Sequence, residues 1–137
     1  VADVDDLRGL VADLRGQACD RLAAPAPGHG EGRRVAAKLR TDELEQPFGV
    51  VHGGAIATLV DTVVVPAVGA AYEAGWGYTT LTMDIQYLGA VVQEDAVAEG
   101  WVTQRGRSIV FCRAEVRTAS GRPAASGTLT YKVSPPR

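Results

Sequence analysis

The stretch FGVVHGGAIATLVDTVVVPAVGAAY, from Phe48 to Tyr72, is almost continuously apolar, and Asp61 is its one acidic residue. Its length and its small, branched side chains predict a buried central helix over residues 53–74. Pro66 removes one backbone hydrogen bond and should kink this helix. Because a helix without a polar face cannot lie on a surface, the remainder of the chain is expected to wrap around it.

Asp61 is the residue of this stretch that most requires an explanation. An ionised carboxylate buried without partners is destabilising, so Asp61 must lie at a helix end, in a paired site or at a cleft, and its mid-helix position excludes the first. It follows Gly54 by seven residues, roughly 10 Å of helix axis. The glycine-rich amino terminus offers unpaired N–H groups suited to a developing oxyanion, and Gly53 and Gly54 let a substrate carbonyl approach the backbone.

A purely structural interpretation of the same residues also fits the pattern. In that interpretation the glycines are packing devices, and His52 caps the helix or is a hydrogen-bonded core histidine. Asp61 would then pair with an arginine at a subunit contact. Spacing alone does not separate the two interpretations.

Alternating apolar and polar residues predict strands on both sides of the helix. The strands are RRVAAKL (33–39), TTLTMDIQYLGAV (79–91), DAVAEGWVTQR (95–105), RSIVFCRAEVRTA (107–119) and PAASGTLTYKV (123–133). The last four are expected to form a meander. In the first of these four, alternation assigns Leu81 and Met83 to one face and Thr80 and Thr82 to the other. In the third, Val110, Cys112, Ala114 and Val116 form a face of small residues suited to lying under a helix.

The whole chain, residues 1–137, is predicted to be one domain. Apolar residues at spacings of three and four predict an amphipathic helix over residues 1–24, followed by a Pro/Gly loop over 25–32. His29 in that loop is expected to be solvated. Cys19 and Cys112 lack metal-ligand or disulfide spacing, so both are expected to be reduced thiols, with no metal site.

Composition and charge exclude several classes of function. Hydrophobic residues make up 46% and charged residues 22% of the chain, which is typical of a globular protein. The net charge of −2 gives no basic field for nucleic acid. Charges interrupt the amino-terminal segment, which argues against a secretory signal, and we expect a cytoplasmic protein that does not bind membranes.

The segment GVVHGGAIATLVD, residues 49–61, matches the pattern G-x-x-H-G-G-x-x-x-x-L-x-D. In this segment the chain resembles the hotdog-fold acyl-CoA thioesterases of the phenylacetate-pathway (PaaI-like) type. The resemblance extends from about Glu45 to Val133 and includes the segments QYLGAV and GRS, the latter just before IVFCRAEV. The resemblance implies an α+β hotdog fold, in which an antiparallel sheet wraps around one long central helix. An amino-terminal helix precedes this core.

The resemblance also implies roles for five residues. The Gly53 N–H would polarise the thioester carbonyl, and Asp61 would act as the nucleophile or as the general base for water. His52 would stabilise the helix entrance, and Gln46 would lie near the substrate carbonyl or the attacking water. Thr80 matches a Ser/Thr that orients the hydrolytic water from the neighbouring subunit in some relatives.

Members of the family often place coenzyme A against the segment that corresponds to Gly106, Arg107 and Ser108. The resemblance therefore implies an acyl-CoA substrate, with no separate cofactor, and a homodimer that pairs into a homotetramer. An open sheet edge and an open cleft give an independent physical reason for self-association.

Two other functions stay open at this stage. One is a non-catalytic acyl-CoA binding module in which Asp61 has a structural role. The other, less favoured, is an enoyl-CoA hydratase or dehydratase that uses His52 with Asp61, although nine residues along a helix place them on different turns. The acyl group, and coenzyme A rather than acyl carrier protein as its carrier, are not determined by the sequence.

Overall fold

A computed structural model describes residues 34–39 and 49–136, and within them the chain forms one helix and five strands. The elements are β1 (Val35–Leu39), α1 (Gly53–Ala71), β2 (Gly77–Tyr87), β3 (Ala96–Arg105), β4 (Ile109–Thr118) and β5 (Pro123–Ser134). All pairings are antiparallel, in one sheet of order β1-β3-β4-β5-β2. The predicted α+β hotdog architecture is confirmed for this core. The predicted amino-terminal helix (1–24), the loop (25–32), Cys19, His29 and Gln46 lie outside the described residues.

The central helix starts at the predicted residue and ends three residues earlier than predicted, at Ala71. Pro66 lies within it on the exposed side. By length and composition α1 could pass for a membrane-spanning helix, a property that the core helices of globular domains share. Here it packs on the sheet, mainly on β3.

The sheet approaches α1 through residues with little or no side chain. A Cβ atom on Gly127 would lie 2.7 Å from a methyl group of Val60, and one on Gly100 would lie 2.9 Å from a methyl group of Val64. Both distances are shorter than real Cβ contacts. The predicted face of β4 lies buried in the same layer, with Val110, Cys112, Ala114 and Val116 all in the core.

The predicted wrapping of α1 by the sheet is confirmed, and part of the helix surface stays exposed in the described core. Pro66, Gly69 and Ala70 are exposed, and Asp61 and Val65 are only half-buried. The sheet covers the side of α1 that faces β3 and β4 and contacts β2 and β5 far less. One side of the helix is therefore open in a single copy of the described core.

The predicted meander of strands β2 to β5 is partly wrong. Strands β3, β4 and β5 follow one another as neighbours, but β2 pairs with β5 at the edge of the sheet and not with β3. The hairpins on either side of β4 have short turns, whereas eight residues, 88–95, connect β2 to β3. That longer connection, which pairs Val92 with Val50, carries the chain across the sheet.

A β-bulge at Leu81 changes the predicted faces of β2. Thr80 lies opposite Tyr131, but Thr82 lies opposite Thr130, so Leu81 is the additional residue. Before the bulge the even-numbered side chains face α1, and after it the odd-numbered ones do. The prediction that Thr80 shares a face with Thr82 is therefore wrong, because alternation does not reveal a bulge.

Strand β2 is largely exposed because it is an edge strand and α1 covers little of its inner face. Its large apolar side chains are open to solvent in the single chain, including Leu81 at 51% and Met83 at 41%. Leu88 and Val92 continue this exposed surface beyond the strand. An apolar edge of this kind is a template for pairing with another chain.

Candidate active site

Hydrogen bonds to His52 occupy most of the first-turn amides of α1. His52 is the N-cap residue: its Nδ1 accepts a hydrogen bond from the Gly54 N–H at 2.9 Å, and its carbonyl accepts from Ala55 at 2.9 Å and Ile56 at 3.3 Å. The Gly53 N–H has no hydrogen-bond partner among residues 34–39 and 49–136. It is the first-turn amide that can bind a ligand without displacing a bond.

The two glycines therefore differ in what they do. A Cβ atom on Gly54 would lie 3.1 Å from the capping Nδ1 of His52, a tight contact, so a side chain there would crowd the cap. A Cβ atom on Gly53 would lie 3.5 Å from the ring of Tyr87, an ordinary contact. Packing thus explains Gly54 but does not explain Gly53.

Tyr87 closes one side of this helix end. Its hydroxyl donates a hydrogen bond to the carbonyl of Gly53 at 2.9 Å. Nothing in the sequence pattern distinguishes Tyr87 from the other members of its predicted alternating strand.

An apolar cleft of about 350 Å³ borders Gly53. Its walls come from the start of α1, from the end of β2 and the loop that follows, and from the start of β5. They are Val50, Val51, Gly53, Ile56, Tyr87, Leu88, Gly89, Ala90, Val91 and Ala124. With no charged side chain in this lining, the cleft suits an uncharged, apolar group next to the free N–H.

Asp61 lies half-buried on α1, against β2 and β5. Its Oδ1 accepts hydrogen bonds from the Tyr131 hydroxyl at 2.8 Å and from the Thr80 hydroxyl at 3.1 Å. Its Oδ2 has no partner in the described part of the chain, and no ion pair there involves Asp61. The structural interpretation placed the arginine partner of Asp61 at a subunit contact, so that pairing stays a prediction.

Tyr131 is the neighbour of Asp61 that the sequence did not reveal. It is buried in the core at 2% exposure, and burial raises the pKa of its phenol, as does the adjacent Asp61 carboxylate. The phenol therefore stays protonated and donates its hydrogen bond. A signal was available: a tyrosine in the buried alternation of β5 must find a partner for its hydroxyl.

Thr80 reaches Asp61 of its own chain because of the bulge. Its partner in the sheet is Tyr131, so the two hydroxyls arrive side by side from neighbouring strands. The sequence singled out Thr80 but placed its side chain on the opposite face of β2; its role in the reaction stays a prediction.

The predicted coenzyme A segment lies at the other end of α1. Gly106, Arg107 and Ser108 form the β3–β4 turn, and the Tyr72 hydroxyl donates to the Gly106 carbonyl at 2.7 Å. The guanidinium of Arg105 lies 4.7 Å from the centre of the Tyr72 ring. Arg107 and Ser108 are exposed. The helix separates this turn from the Gly53 end of the same chain by roughly 27 Å.

The chain belongs to the thioesterase superfamily, whose family model matches residues 48–125, a little over half of the sequence. This places it in the class of thioester hydrolases and confirms the resemblance inferred from GVVHGGAIATLVD. Among proteins of curated function, none matches the chain significantly.

Solved structures support the fold. A thioesterase from Haemophilus influenzae superposes with a TM-score of 0.75 at 23% identity, over 98% of this chain and 92% of that one. A phenylacetic acid degradation-related putative thioesterase from Ralstonia eutropha gives 0.67 at 24% identity, over 72% and 75%. A hypothetical thioesterase from Streptococcus pneumoniae, crystallised with coenzyme A, gives 0.64 at 24% identity, over 77% and 81%.

Proposed function

We propose that this thioesterase hydrolyses acyl-CoA thioesters that carry a small aryl or acyl group. The observation that carries the proposal is the Gly53 N–H beside an apolar cleft, on the same helix as the Asp61 carboxylate. Within the described residues, neither this N–H nor Asp61 Oδ2 has a hydrogen-bond partner. The related structure from Streptococcus pneumoniae, crystallised with coenzyme A, supports this choice of carrier.

The reaction needs a polarised carbonyl and an oxygen nucleophile. In our proposal the Gly53 N–H donates to the thioester carbonyl oxygen and stabilises the oxyanion that forms there. Asp61 Oδ2 either attacks the carbonyl carbon, giving an anhydride that water cleaves, or removes a proton from the attacking water. In both routes the C–S bond breaks, and the departing thiolate takes up a proton to leave as the free thiol.

One copy of the chain cannot bring these two groups to one carbonyl. Asp61 follows Gly53 by eight residues, roughly 12 Å along the axis. The N–H groups of a helix also point towards its amino terminus, so a carbonyl bound to Gly53 lies on the side away from Asp61. We therefore propose that Gly53 of one copy and Asp61 of a second copy form each site.

The exposed edge of β2 is the surface that we propose for this pairing. The backbone groups on its outer edge pair with no strand of the described sheet. These groups and the open apolar side chains, such as Leu81 and Met83, would be covered by a second copy that pairs through its own β2. A two-fold axis at the β2 edge makes the two α1 helices antiparallel and forms two equivalent sites. We propose a homodimer of this kind, paired again into a homotetramer.

We propose that Gly106, Arg107 and Ser108 contact the nucleotide end of coenzyme A. Arg107 is exposed and offers the planar set of donors that suits a phosphate. The turn lies far from Gly53 of its own chain, so its distance from the reacting carbonyl also depends on the second copy. His52 serves this site indirectly, as the cap that orders the helix entrance. Gln46 remains a candidate for the substrate carbonyl or water.

The remaining parts of the proposal concern what the enzyme needs and where it works. Hydrolysis by a backbone donor and a carboxylate requires no metal or cofactor besides the coenzyme A of the substrate. We propose a cytoplasmic enzyme that acts on a small-molecule substrate and does not bind nucleic acid or membranes.

The test is release of free thiol from aryl, short-chain and medium-chain acyl-CoA thioesters, with the same acyl groups on acyl carrier protein for comparison. We expect turnover of at least one acyl-CoA, with loss of that turnover in Asp61→Asn. Absence of thiol release across the whole panel would overturn the proposal.

A non-catalytic binding module is the main competing function. Tight binding of an acyl-CoA without thiol release would favour it, and would leave the unpaired Oδ2 without a chemical role. An enoyl-CoA hydratase is disfavoured because His52 uses its Nδ1 for the helix cap, accepting from the Gly54 N–H. Incubation with enoyl-CoA separates these activities, since only hydrolysis releases a thiol.

A further inference from the structure

The two oxygens of Asp61 are not equivalent. Oδ1 accepts from two hydroxyls, at 2.8 Å from Tyr131 and 3.1 Å from Thr80, whereas Oδ2 has no partner in the described part of the chain. A free carboxylate can rotate about its terminal bond, since that torsion is broad and roughly two-fold. Two donors on one oxygen oppose this rotation and fix the direction in which the other oxygen points.

Tyr131 is the stronger of the two donors by geometry and by rigidity. Its hydroxyl makes the shorter bond, and it also lies 3.1 Å from the Asp61 backbone carbonyl, so it contacts both ends of the residue. Its ring is buried among core residues at 2% exposure. A packed aromatic ring holds its hydroxyl more rigidly than a half-buried threonine side chain does.

The sheet register brings the two hydroxyls together. Tyr131 on β5 and Thr80 on β2 are direct partners, and the bulge at Leu81 is what turns Thr80 towards α1. Without the bulge, Thr80 would share the exposed face of Thr82. The local irregularity of β2 therefore completes a pair of donors around one carboxylate oxygen.

We propose that Tyr131 is a positioning residue for the reaction: it holds Asp61 Oδ1 so that Oδ2 alone meets the substrate carbonyl or the attacking water. This inference rests on the proposed thioesterase function and on Asp61 as its reacting carboxylate. Tyr131 does not touch the substrate, so it acts only through Asp61. Thr80 on β2 helps to hold the same oxygen through its own hydrogen bond.

The test is the steady-state kinetics of Tyr131→Phe, which keeps the ring and removes the hydroxyl. A loosened carboxylate is expected to lower kcat on the order of 10- to 100-fold and to leave KM nearly unchanged. Thr130→Val is the matched control, because it removes a hydroxyl from the adjacent residue of β5 on the opposite face. This control is expected to keep the wild-type kcat.

A double variant separates positioning from a general structural role. If Tyr131 acts only through Asp61, then Tyr131→Phe adds no further loss in the Asp61→Asn background. An equal loss in both backgrounds would overturn the inference. Wild-type kcat in folded Tyr131→Phe, with Asp61→Asn inactive, would also overturn it and leave the proposed function standing.

Failure of the proposed function has a different signature, namely full activity in Asp61→Asn itself. If Tyr131→Phe does not fold, Tyr131→Met takes its place, since methionine fills irregular core space and also lacks the hydroxyl. The expected loss of kcat, the unchanged KM and the outcomes that contradict the inference are the same for that variant.

Discussion

Tyr87 donates its hydroxyl to the carbonyl of Gly53 over 2.9 Å, so the edge strand β2 holds the first peptide of α1. The N–H of the same glycine is the oxyanion donor that we propose. Because β2 is also the edge that we propose to pair with a second copy, assembly and the position of the donor are mechanically connected. A dimer that shifts β2 would shift the donor with it.

Asp61→Asn is expected to fold normally and to lose at least about 100-fold in acyl-CoA hydrolysis. The amide is close in shape to the carboxylate, and its oxygen can still accept from Tyr131 and Thr80. It can neither attack a carbonyl nor take a proton. Thiol release gives the activity, and thermal unfolding verifies the fold. Near wild-type turnover in a folded Asp61→Ala protein would remove Asp61 from the mechanism.

Gly53→Pro deletes the candidate oxyanion donor with little expected damage to the fold. Proline is favoured at the first position of a helix, and the preceding residue, His52, already has φ −63 and ψ 134, the extended conformation that a following proline requires. Loss of the donor is expected to lower kcat about 100- to 1,000-fold.

Gly53→Ala is the control for that variant, because it keeps the N–H and adds a methyl group in ordinary contact with Tyr87. It is expected to retain clearly more activity than Gly53→Pro. Equal kcat in the wild type and in folded Gly53→Pro would exclude this N–H as the donor.

Mixing two inactive variants tests whether each site is built from two copies. A heterodimer of Gly53→Pro and Asp61→Asn has one site with both changes and one site with neither. With equal amounts and free exchange, half of the dimers are mixed and one of their two sites is intact, so about a quarter of the wild-type activity should return.

The exchange can be followed by native mass spectrometry of differently tagged chains. No recovery of activity after verified exchange would contradict the shared site. A monomer at micromolar concentration in light scattering would contradict both the shared site and the proposed dimer.

The lowered pKa of the Glu94 carboxyl predicts how the stability of the fold depends on pH. A hydrogen bond from Arg122 at 2.6 Å, and one from the Ser120 N–H at 3.0 Å, lower the pKa of Glu94 from 4.5 to about 2. Because the folded-state pKa is depressed, this stabilisation is present above pH 4.5 and is lost as the pH falls towards about 2.

The change that tests this is Glu94→Gln, which is expected to lower Tm at neutral pH by an amount that shrinks between pH 4.5 and 2. Glu115→Gln is the control, since its partner Arg117 lies two residues away on the same exposed strand face and such pairs contribute little. A Tm difference for Glu94→Gln that is constant with pH would contradict the prediction.

Much of the core was predictable because its signals are local. The long apolar run that contains Asp61 predicted α1 and its first residue. Strict alternation in β4 predicted which face of that strand is buried. The motif around His52 and Asp61 identified the helix entrance and the carboxylate. Each of these signals lies within one element, where side-chain period and helix geometry apply directly.

Apart from the end of α1, the errors concern relations between elements. The order of β2 in the sheet depends on where an eight-residue connection crosses, and the inward turn of Thr80 depends on a bulge; neither leaves a mark on residue type. Tyr131 and Tyr87 were missed for the same reason. Their importance comes from the partners of their hydroxyls, Asp61 and Gly53, which lie far away in the sequence.

Gly100 and Gly127 set the height of α1 above the sheet by contact with bare α-carbons. The height of Asp61 over β5 is thus largely independent of how fully the rest of the core is filled. Over evolutionary time, the aliphatic interior can change its composition while the Asp61 carboxylate keeps its place. The most fragile points of this enzyme are then two positions that have no side chain.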